Sequence, residues 1–180
     1  MKQKVLLHVC CAPCSTHCIE RLMQDYEVTM FYSDSNIWPR AEYERRLGEA
    51  RRIAKAYSLE LVEDSYDNEG WMEHIKGLER EPEKGARCRK CFEFNLGRAA
   101  EYAKSNGFEQ FTTTLTIAPQ KNSKMIFEIG KRLGEEKGVK FLELDFKKQD
   151  GFRHSLELSE KHGLYRQNYC GCRFSVRKQG

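Results

Sequence analysis

The side chains in this chain with the most chemistry to offer are its eight cysteines among 180 residues. They fall into three knots: Cys10, Cys11, Cys14 and Cys18; Cys88 and Cys91; Cys170 and Cys172. Cysteines that merely fill a core scatter along a chain. Knots separated by long cysteine-free stretches indicate a fold that gathers thiols in one place, for metal or redox chemistry. Cys88 and Cys91 sit three apart at the start of an expected helix, on one face. Such a pair is either a redox dithiol with a depressed pKa or half of a metal site. A polar loop precedes it where the redox motif needs a strand, and further thiols can share an ion, so metal is favoured. Cys10 and Cys11 are adjacent, and neighbours in a strand point to opposite faces. Both can serve one centre only where the strand ends and the chain turns, as Pro13 suggests. Four thiolates, Cys10, Cys11, Cys88 and Cys91, suit zinc or a [4Fe–4S] cluster. A vicinal pair makes a poor zinc knuckle, which favours the cluster. The spacing CxxxCxxC of radical enzymes is absent, because Arg21 stands where its third cysteine would be. Cys14, Cys170 and Cys172 remain as ligands for a second metal or as a redox relay. Cys18, one turn beyond Cys14, is equally a core thiol or a ligand.

These residues need elements to position them. Val5–Cys10 reads as a short buried strand. A turn follows, then a helix from Ser15 or Thr16 to about Gln24. Strands are expected over Glu27–Ser33, Leu59–Val62, Phe111–Thr116 and Val139–Leu144. Helices are expected over Arg40–Tyr57, Trp71–Leu78, Ala86–Lys104, Asn122–Lys137 and Arg153–Lys161, from apolar residues spaced three and four apart. Strands and helices alternate, which predicts right-handed crossovers and a mainly parallel sheet with helices on both faces. The pattern is that of one α/β domain over 1–180. It is Rossmann-like, of the adenine-nucleotide-hydrolase-like (HUP) kind, with a short, irregular, basic tail over 164–180 completing the site. Ligands of such sheets bind beyond the carboxyl ends of the strands. Cys10–Cys14, Asp34–Asn36 and Thr113–Lys121 all fall there. Neither GxGxxG nor GxxxxGK[ST] occurs, which disfavours dinucleotide or ATP binding through those motifs.

Composition excludes other classes. The net charge is +4, with 39% hydrophobic and 32% charged residues. That suffices for a packed core and is too apolar for a disordered tail. No apolar run approaches a membrane span. The basic start MKQKVLLHVCCAPC has an apolar stretch of only Val5–Leu7, so a buried strand is expected there and an export signal is not. A cytoplasmic protein with reduced thiols follows. The mild positive charge permits an acidic partner such as RNA.

Other groups carry two readings each. His8, inside a strand, reads as a satisfied core histidine; His17, after the cysteine loop, is balanced between core and site. Asp34 is either a proton donor or metal ligand, or a turn former. The pairs Arg45-Arg46 and Arg51-Arg52 read as a solvated helix face. Lys121, Lys124, Lys147, Lys148, Arg173, Arg177 and Lys178 are candidates for phosphate contacts. Tyr165 and Tyr169, interleaved with Arg166, are of a type that stacks on and holds a base.

HVCCAPCS (8–15), GARCRKCF (85–92), FTTTLTIAPQKN (111–122), DFKKQDGF (145–152) and GLYRQNYCGCRFS (163–175) together resemble, nearly end to end, the signature segments of the epoxyqueuosine reductases of the QueH type. One segment departs: relatives carry a form like FYNPNIHP where this chain has FYSDSNIWP, so Asp34, Ser35 and Trp38 do not follow the common pattern. The resemblance implies a cobalamin-independent oxidoreductase of tRNA modification that reduces the epoxide of epoxyqueuosine to the alkene of queuosine. It implies a [4Fe–4S] cluster, an additional iron ion, tRNA as substrate and an external low-potential electron donor of ferredoxin or flavodoxin type. On this reading Cys10, Cys11, Cys88 and Cys91 hold the cluster, and Cys14, Cys170 and Cys172 the second metal or a relay. Asp34 or Tyr32 protonates the leaving oxygen, and Asn36, Lys121, Arg166 and Tyr169 bind the base or its phosphates. The rivals are a structural zinc protein that binds RNA without chemistry, a cytosolic dithiol reductase, and a nucleotide-activating tRNA enzyme that the missing phosphate loop disfavours.

Overall fold

The computed structural model describes residues 1–176; Arg177 and Lys178, two of the candidate phosphate contacts, lie outside them. Five strands form one parallel sheet: β1 (Gln3–Val9), β2 (Tyr26–Tyr32), β3 (Glu60–Glu63), β4 (Gln110–Thr113) and β5 (Lys140–Phe141). Their order is β3-β2-β1-β4-β5. The helices are α1 (Ala12–Met23), α2 (Arg40–Ala56), α3 (Asn68–His74), α4 (Ala86–Ser105), α5 (Ser123–Lys137) and α6 (Gly151–Lys161). This is the doubly wound arrangement that the alternation predicts. The chain reverses its direction of travel across the sheet between β1 and β4, at the topological switch point where such folds open a crevice.

Central β1 shows why. Its residues Val5 to Val9 are all buried, as a strand covered on both faces must be. Val5, Leu7 and Val9 pack with α1 and α2 residues such as Ile19, Leu22, Leu47 and Ile53. Leu6 packs on the other side with Leu96, Ala99, Ile126 and Ile129 of α4 and α5. Register aligns Val5 with Val28 and Val9 with Tyr32 on β2, and Leu6 with Phe111 on β4. The two central strands therefore end level, at Val9 and Tyr32.

Element ends differ from expectation for local reasons. α1 begins at Ala12, with Pro13 in its first turn, where a missing N–H costs nothing. β4 stops at Thr113, whose hydroxyl accepts the Leu115 N–H (3.1 Å) and starts a 3₁₀ turn over Thr114–Ile117. β5 is cut to two residues because threonine side chains replace the ladder: Thr112 donates to the Leu142 carbonyl (2.9 Å) and Thr116 to that of Leu144 (2.7 Å). α3 begins at Asn68, where Asp67 accepts the Gly70 N–H (2.9 Å) as its cap.

One helix contact has a pH signature. His17 Nδ1 of α1 lies 3.0 Å from His154 Nδ1 of α6, and His154 Nε2 lies 3.7 Å from Glu20. Burial, then the neighbouring His154, lowers the His17 pKa. The folded state therefore favours the neutral ring. Its contribution is complete above the ordinary value of about 6.5 and is lost as pH falls below it. The melting temperature is expected to fall between about pH 7 and about pH 5, and to fall less steeply in His17→Gln; equal slopes would exclude this contact as the cause.

Candidate metal centre

The carboxyl ends of β1, β2 and β4 meet where a doubly wound sheet opens its crevice, and Cys170 of the tail lies near Cys10 there. Cys10 and Cys11 follow directly after β1, where the strand gives way to α1. The backbone of Cys11 is extended and that of Ala12 helical, so the vicinal side chains escape the strand's alternation. One turn into α1, Cys14 joins them: the sulfurs of Cys10, Cys11 and Cys14 all lie within 4.8 Å of one another. Cys10 and Cys11 are buried and Cys14 is partly so. Thr114 fixes the first of them, accepting the Cys10 N–H (3.1 Å) and donating to its sulfur (3.2 Å). Hydrogen bonds among the three divide the protons. Those from Cys10 and Cys14 draw the Cys11 pKa well below the usual thiol value, while Cys14 is raised well above it by its bonds to Cys10 and Cys11 and by burial. The thiolate is the form that binds metal.

The second knot lies across the crevice. Cys88 and Cys91 occupy the first turns of α4. The Cys88 sulfur accepts the Lys84 N–H (3.2 Å). Cys91 packs with Trp71, Ile75 and Cys172. Burial raises the pKa values of both, Cys91 strongly, and the thiols of Cys170 and Cys172 add to it. Cys170 is also an electrostatic neighbour of Cys10, so it stands between the two knots. The gathering expected from the spacing is present, with a finer grouping than expected: Cys14 lies with Cys10 and Cys11, and Cys170 and Cys172 lie with Cys88 and Cys91. Cys18 belongs to the core, fully buried and donating to the Cys14 carbonyl (3.2 Å). His8 is likewise a satisfied core residue, bonded to Thr113 Oγ1 (2.8 Å) and the Ser33 carbonyl (3.0 Å). All eight thiols are free of disulfides.

Around the thiols stand polar groups without partners. Asp34, just beyond β2, is 4% exposed, and its Oδ2 has no hydrogen bond. Burial, reinforced by Cys10, raises its carboxyl well above the usual range, against the pull of Lys121 and Arg46. Asn95 Oδ1 and Gln167 Oε1 are also unpaired. Asn95 donates to Asn36 Oδ1 (2.8 Å) and toward the Cys91 sulfur (3.8 Å), and Gln167 contacts Cys11. Buried unpaired oxygens are rare; here they ring thiols, a soft donor set suited to iron–sulfur or zinc. Lys121 is half-buried. Burial opposes its charge, but the surrounding thiols Cys10, Cys170, Cys14 and Cys11 outweigh that, and its pKa lies above the ordinary lysine value.

The other candidate residues are held by contacts of their own. Tyr32 is fully buried beneath α2 and its hydroxyl donates to the Tyr43 carbonyl (3.4 Å), so its proton faces away from the crevice. Asn36 is buried and tied to Asn95. Tyr169 donates to the Trp38 carbonyl (2.8 Å), with the Arg46 guanidinium 5.0 Å from its ring centre. Tyr165 is covered by Arg45, 3.4 Å from its ring centre, and bonds Glu42 (3.2 Å). Both tyrosines fasten the tail to α2. Arg166 is exposed.

Arg46 corrects the reading of Arg45-Arg46 as a solvated pair, because it is 2% exposed. It pairs with Glu42 (2.7 Å) and donates to the carbonyls of Cys170 (2.8 Å) and Tyr169 (3.2 Å). One buried guanidinium thus holds the Cys170-Gly-Cys172 segment. Gly171 is required in that segment: its φ is +144°, and a Cβ there would lie 3.0 Å from Ile37 and 3.2 Å from Arg46. The signal was in the sequence, since position 46 shares a helix face with Tyr43 and Ala50. Arg46→Ala is expected to cost about 3–5 kcal/mol by stranding Glu42 and to expose the tail to proteolysis. A denaturant melt and a digestion time course check it, and an unchanged tail would remove Arg46 as its anchor.

Comparison with known proteins places the chain in a family. The profile of the family described as "Epoxyqueuosine reductase QueH" matches residues 5–178. The chain is 38% identical over 186 residues to the epoxyqueuosine reductase QueH of Streptococcus pyogenes serotype M1, covering 100% of this chain and 73% of that one. It is 38% identical over 175 residues to the Thermotoga maritima protein of the same name, covering 96% and 90%. Among solved structures, a predicted subunit of a tRNA methyltransferase from Methanocaldococcus jannaschii shares the fold, with a TM-score of 0.58 at 11% identity over 86% of this chain and 73% of that one. With thiols from three distant segments gathered at the switch point of the sheet, and the match running through every one of those segments, the chain belongs to the epoxyqueuosine reductase QueH family.

Proposed function

We propose that this chain reduces the epoxide of epoxyqueuosine in tRNA to the alkene of queuosine, taking up two electrons and two protons and releasing water. The observation that carries the reading is the gathering of seven thiols, with Cys10, Cys11 and Cys14 within 4.8 Å of one another and Cys170 near both Cys10 and the group of Cys88, Cys91 and Cys172, beside the buried Asp34 carboxyl, whose Oδ2 has no partner. The donor set fits the implied group. Cys10, Cys11, Cys88 and Cys91 would hold a [4Fe–4S] cluster, with Cys14, Cys170 and Cys172 on an additional iron. When bound, these groups supply single electrons and a Lewis acid.

The proximity of the sulfurs favours a second partition. Cys10, Cys11 and Cys14 are close enough for one ion, and a cubane spreads its thiolates more widely, as Cys88, Cys91, Cys170 and Cys172 could. Cys170 separates the two: its loss spares the cluster in the first partition and removes it in the second.

The chain's own residues would do the rest. Asp34, held neutral by burial, donates a proton to the leaving oxygen; of the two candidates it is favoured because the Tyr32 hydroxyl is engaged elsewhere. Lys121 brings a positive charge beside the thiols, and Asn36 orients Asn95 toward Cys91. Arg166 is left for a phosphate, and the tail, over its described residues 164–176, closes the crevice. A low-potential electron carrier supplies the electrons, and the reaction belongs in the cytoplasm, where thiols stay reduced. No helix among the described residues is long and apolar enough to cross a membrane.

The test is anaerobic purification with iron, sulfide and zinc analysis, then turnover of epoxyqueuosine-containing RNA with a chemical reductant. About four sulfides with more than four irons per chain, and conversion to queuosine, are expected. A colourless protein with one zinc that binds RNA without turnover would overturn the reading.

A further inference from the structure

Among the described residues, the large hydrophobic side chains left exposed are Met1, Trp38 and Val176. Trp38 is 41% exposed, in contrast to Trp71 at 1%. Its backbone is held firmly. The Trp38 N–H donates to the Gly171 carbonyl (2.9 Å), and the Trp38 carbonyl accepts from the Tyr169 hydroxyl (2.8 Å). The preceding Ile37 carbonyl accepts from Tyr66 (2.7 Å). Trp38 is thus fastened to the residue between Cys170 and Cys172, at the rim of the thiol crevice. The guanidinium of Arg173 lies 5.1 Å from its ring centre, and Arg173 is steadied by Asn68 (3.4 Å).

An indole on a backbone tied at both its N–H and its carbonyl, partly exposed and flanked by a guanidinium, is an arrangement that can stack an unpaired nucleobase. A folded protein partner would need a broader apolar patch, whereas here a single ring stands beside arginines. The aromatic–basic character assigned to Tyr165 and Tyr169 from sequence extends to Trp38, which is more exposed than either: Arg45 lies 3.4 Å from the Tyr165 ring centre, and the hydroxyls of both tyrosines are engaged. We propose that Trp38, with Arg173 over its ring, is the platform on which an unpaired base of the RNA stacks beside the thiol crevice. The proposal rests on the reading of the substrate as RNA.

Two tryptophans make fluorescence a direct test. Titration of the intact protein with an RNA hairpin bearing an open anticodon-type loop is expected to quench emission, in native protein and in Trp71→Phe alike. A blunt duplex of the same length should quench neither. Trp38→Leu should keep the native melting temperature, lose the quench, and bind the hairpin about 5- to 150-fold more weakly, the worth of one stacked base. Trp38→Phe should recover part of that affinity. Equal hairpin affinity in native protein and Trp38→Leu, without a quench, would overturn the platform and leave RNA binding intact. No hairpin binding by native protein would overturn both. A quench produced by an acidic electron-carrier protein and not by the hairpin would assign the ring to a protein partner and overturn the proposal.

Discussion

Cys91→Ala is expected to leave a folded protein that holds no sulfide and has no reductase activity. Cys91 belongs to the cluster's ligand set in both partitions of the thiols. It lies on the first turns of α4 among Trp71, Ile75 and Cys172. Replacing a sulfur by a smaller methyl at such a site creates a modest cavity, so the cost to folding stays within the range of about 1–3 kcal/mol common for single substitutions. The substitution removes one of the four thiolates that anchor the cluster. Iron and sulfide analysis after anaerobic reconstitution, with a melting curve on the same sample, separates the two effects. Retention of about four sulfides per chain would remove Cys91 from the ligand set. The companion variant Cys170→Ala then distinguishes the partitions: sulfide retained assigns Cys170 to the additional iron, and sulfide lost assigns it to the cluster.

Asp34→Asn is expected to lower turnover about 100- to 10,000-fold, the usual worth of a positioned general acid, with iron and sulfide unchanged. The pH dependence follows from the direction of its shift. Burial raises the Asp34 pKa well above the ordinary carboxylate value, so the group carries its proton through the range where a surface aspartate has lost it. Activity in the native protein should fall as pH rises through that raised value, and this limb should be missing from the residual activity of Asp34→Asn. Stability supplies an independent check. A carboxyl with a raised folded pKa opposes folding above its unfolded value of about 3.9, because a group that is ionised in the unfolded chain must take up a proton on folding or bury its charge. The asparagine variant, which carries no charge, should therefore melt no lower than native protein at neutral pH and higher in alkali. Loss of iron in Asp34→Asn would make Asp34 a ligand in place of an acid.

The element pattern was readable because it depends on local periodicity. Every expected strand and helix is present, and the errors fall at the ends, where tertiary groups intervene. β5 shrinks because Thr112 and Thr116 take the carbonyls a longer ladder would have used. α1 starts early because Pro13 is tolerated in a first helical turn. Both are side-chain contributions that hydrophobic period does not encode.

At the candidate site, residue type and spacing marked groups that the fold brings near one another: the cysteine knots, Asp34 at the end of β2, and Lys121 beyond β4. Those positions follow from the rule that parallel sheets gather ligands beyond their carboxyl ends. How the thiols group among themselves was decided by tertiary structure, because Cys14 reaches Cys10 and Cys11 only through the early start of α1, and Cys170 and Cys172 are set beside Cys88 and Cys91 by the buried Arg46. Tertiary contacts likewise engage the hydroxyls of Tyr165 and Tyr169 with Glu42 and the Trp38 carbonyl. Sequence spacing fixes distances along the chain. Contacts such as Arg46 to Cys170, 124 residues apart, depend on how α2 and the tail pack, and that is settled only when the whole chain folds.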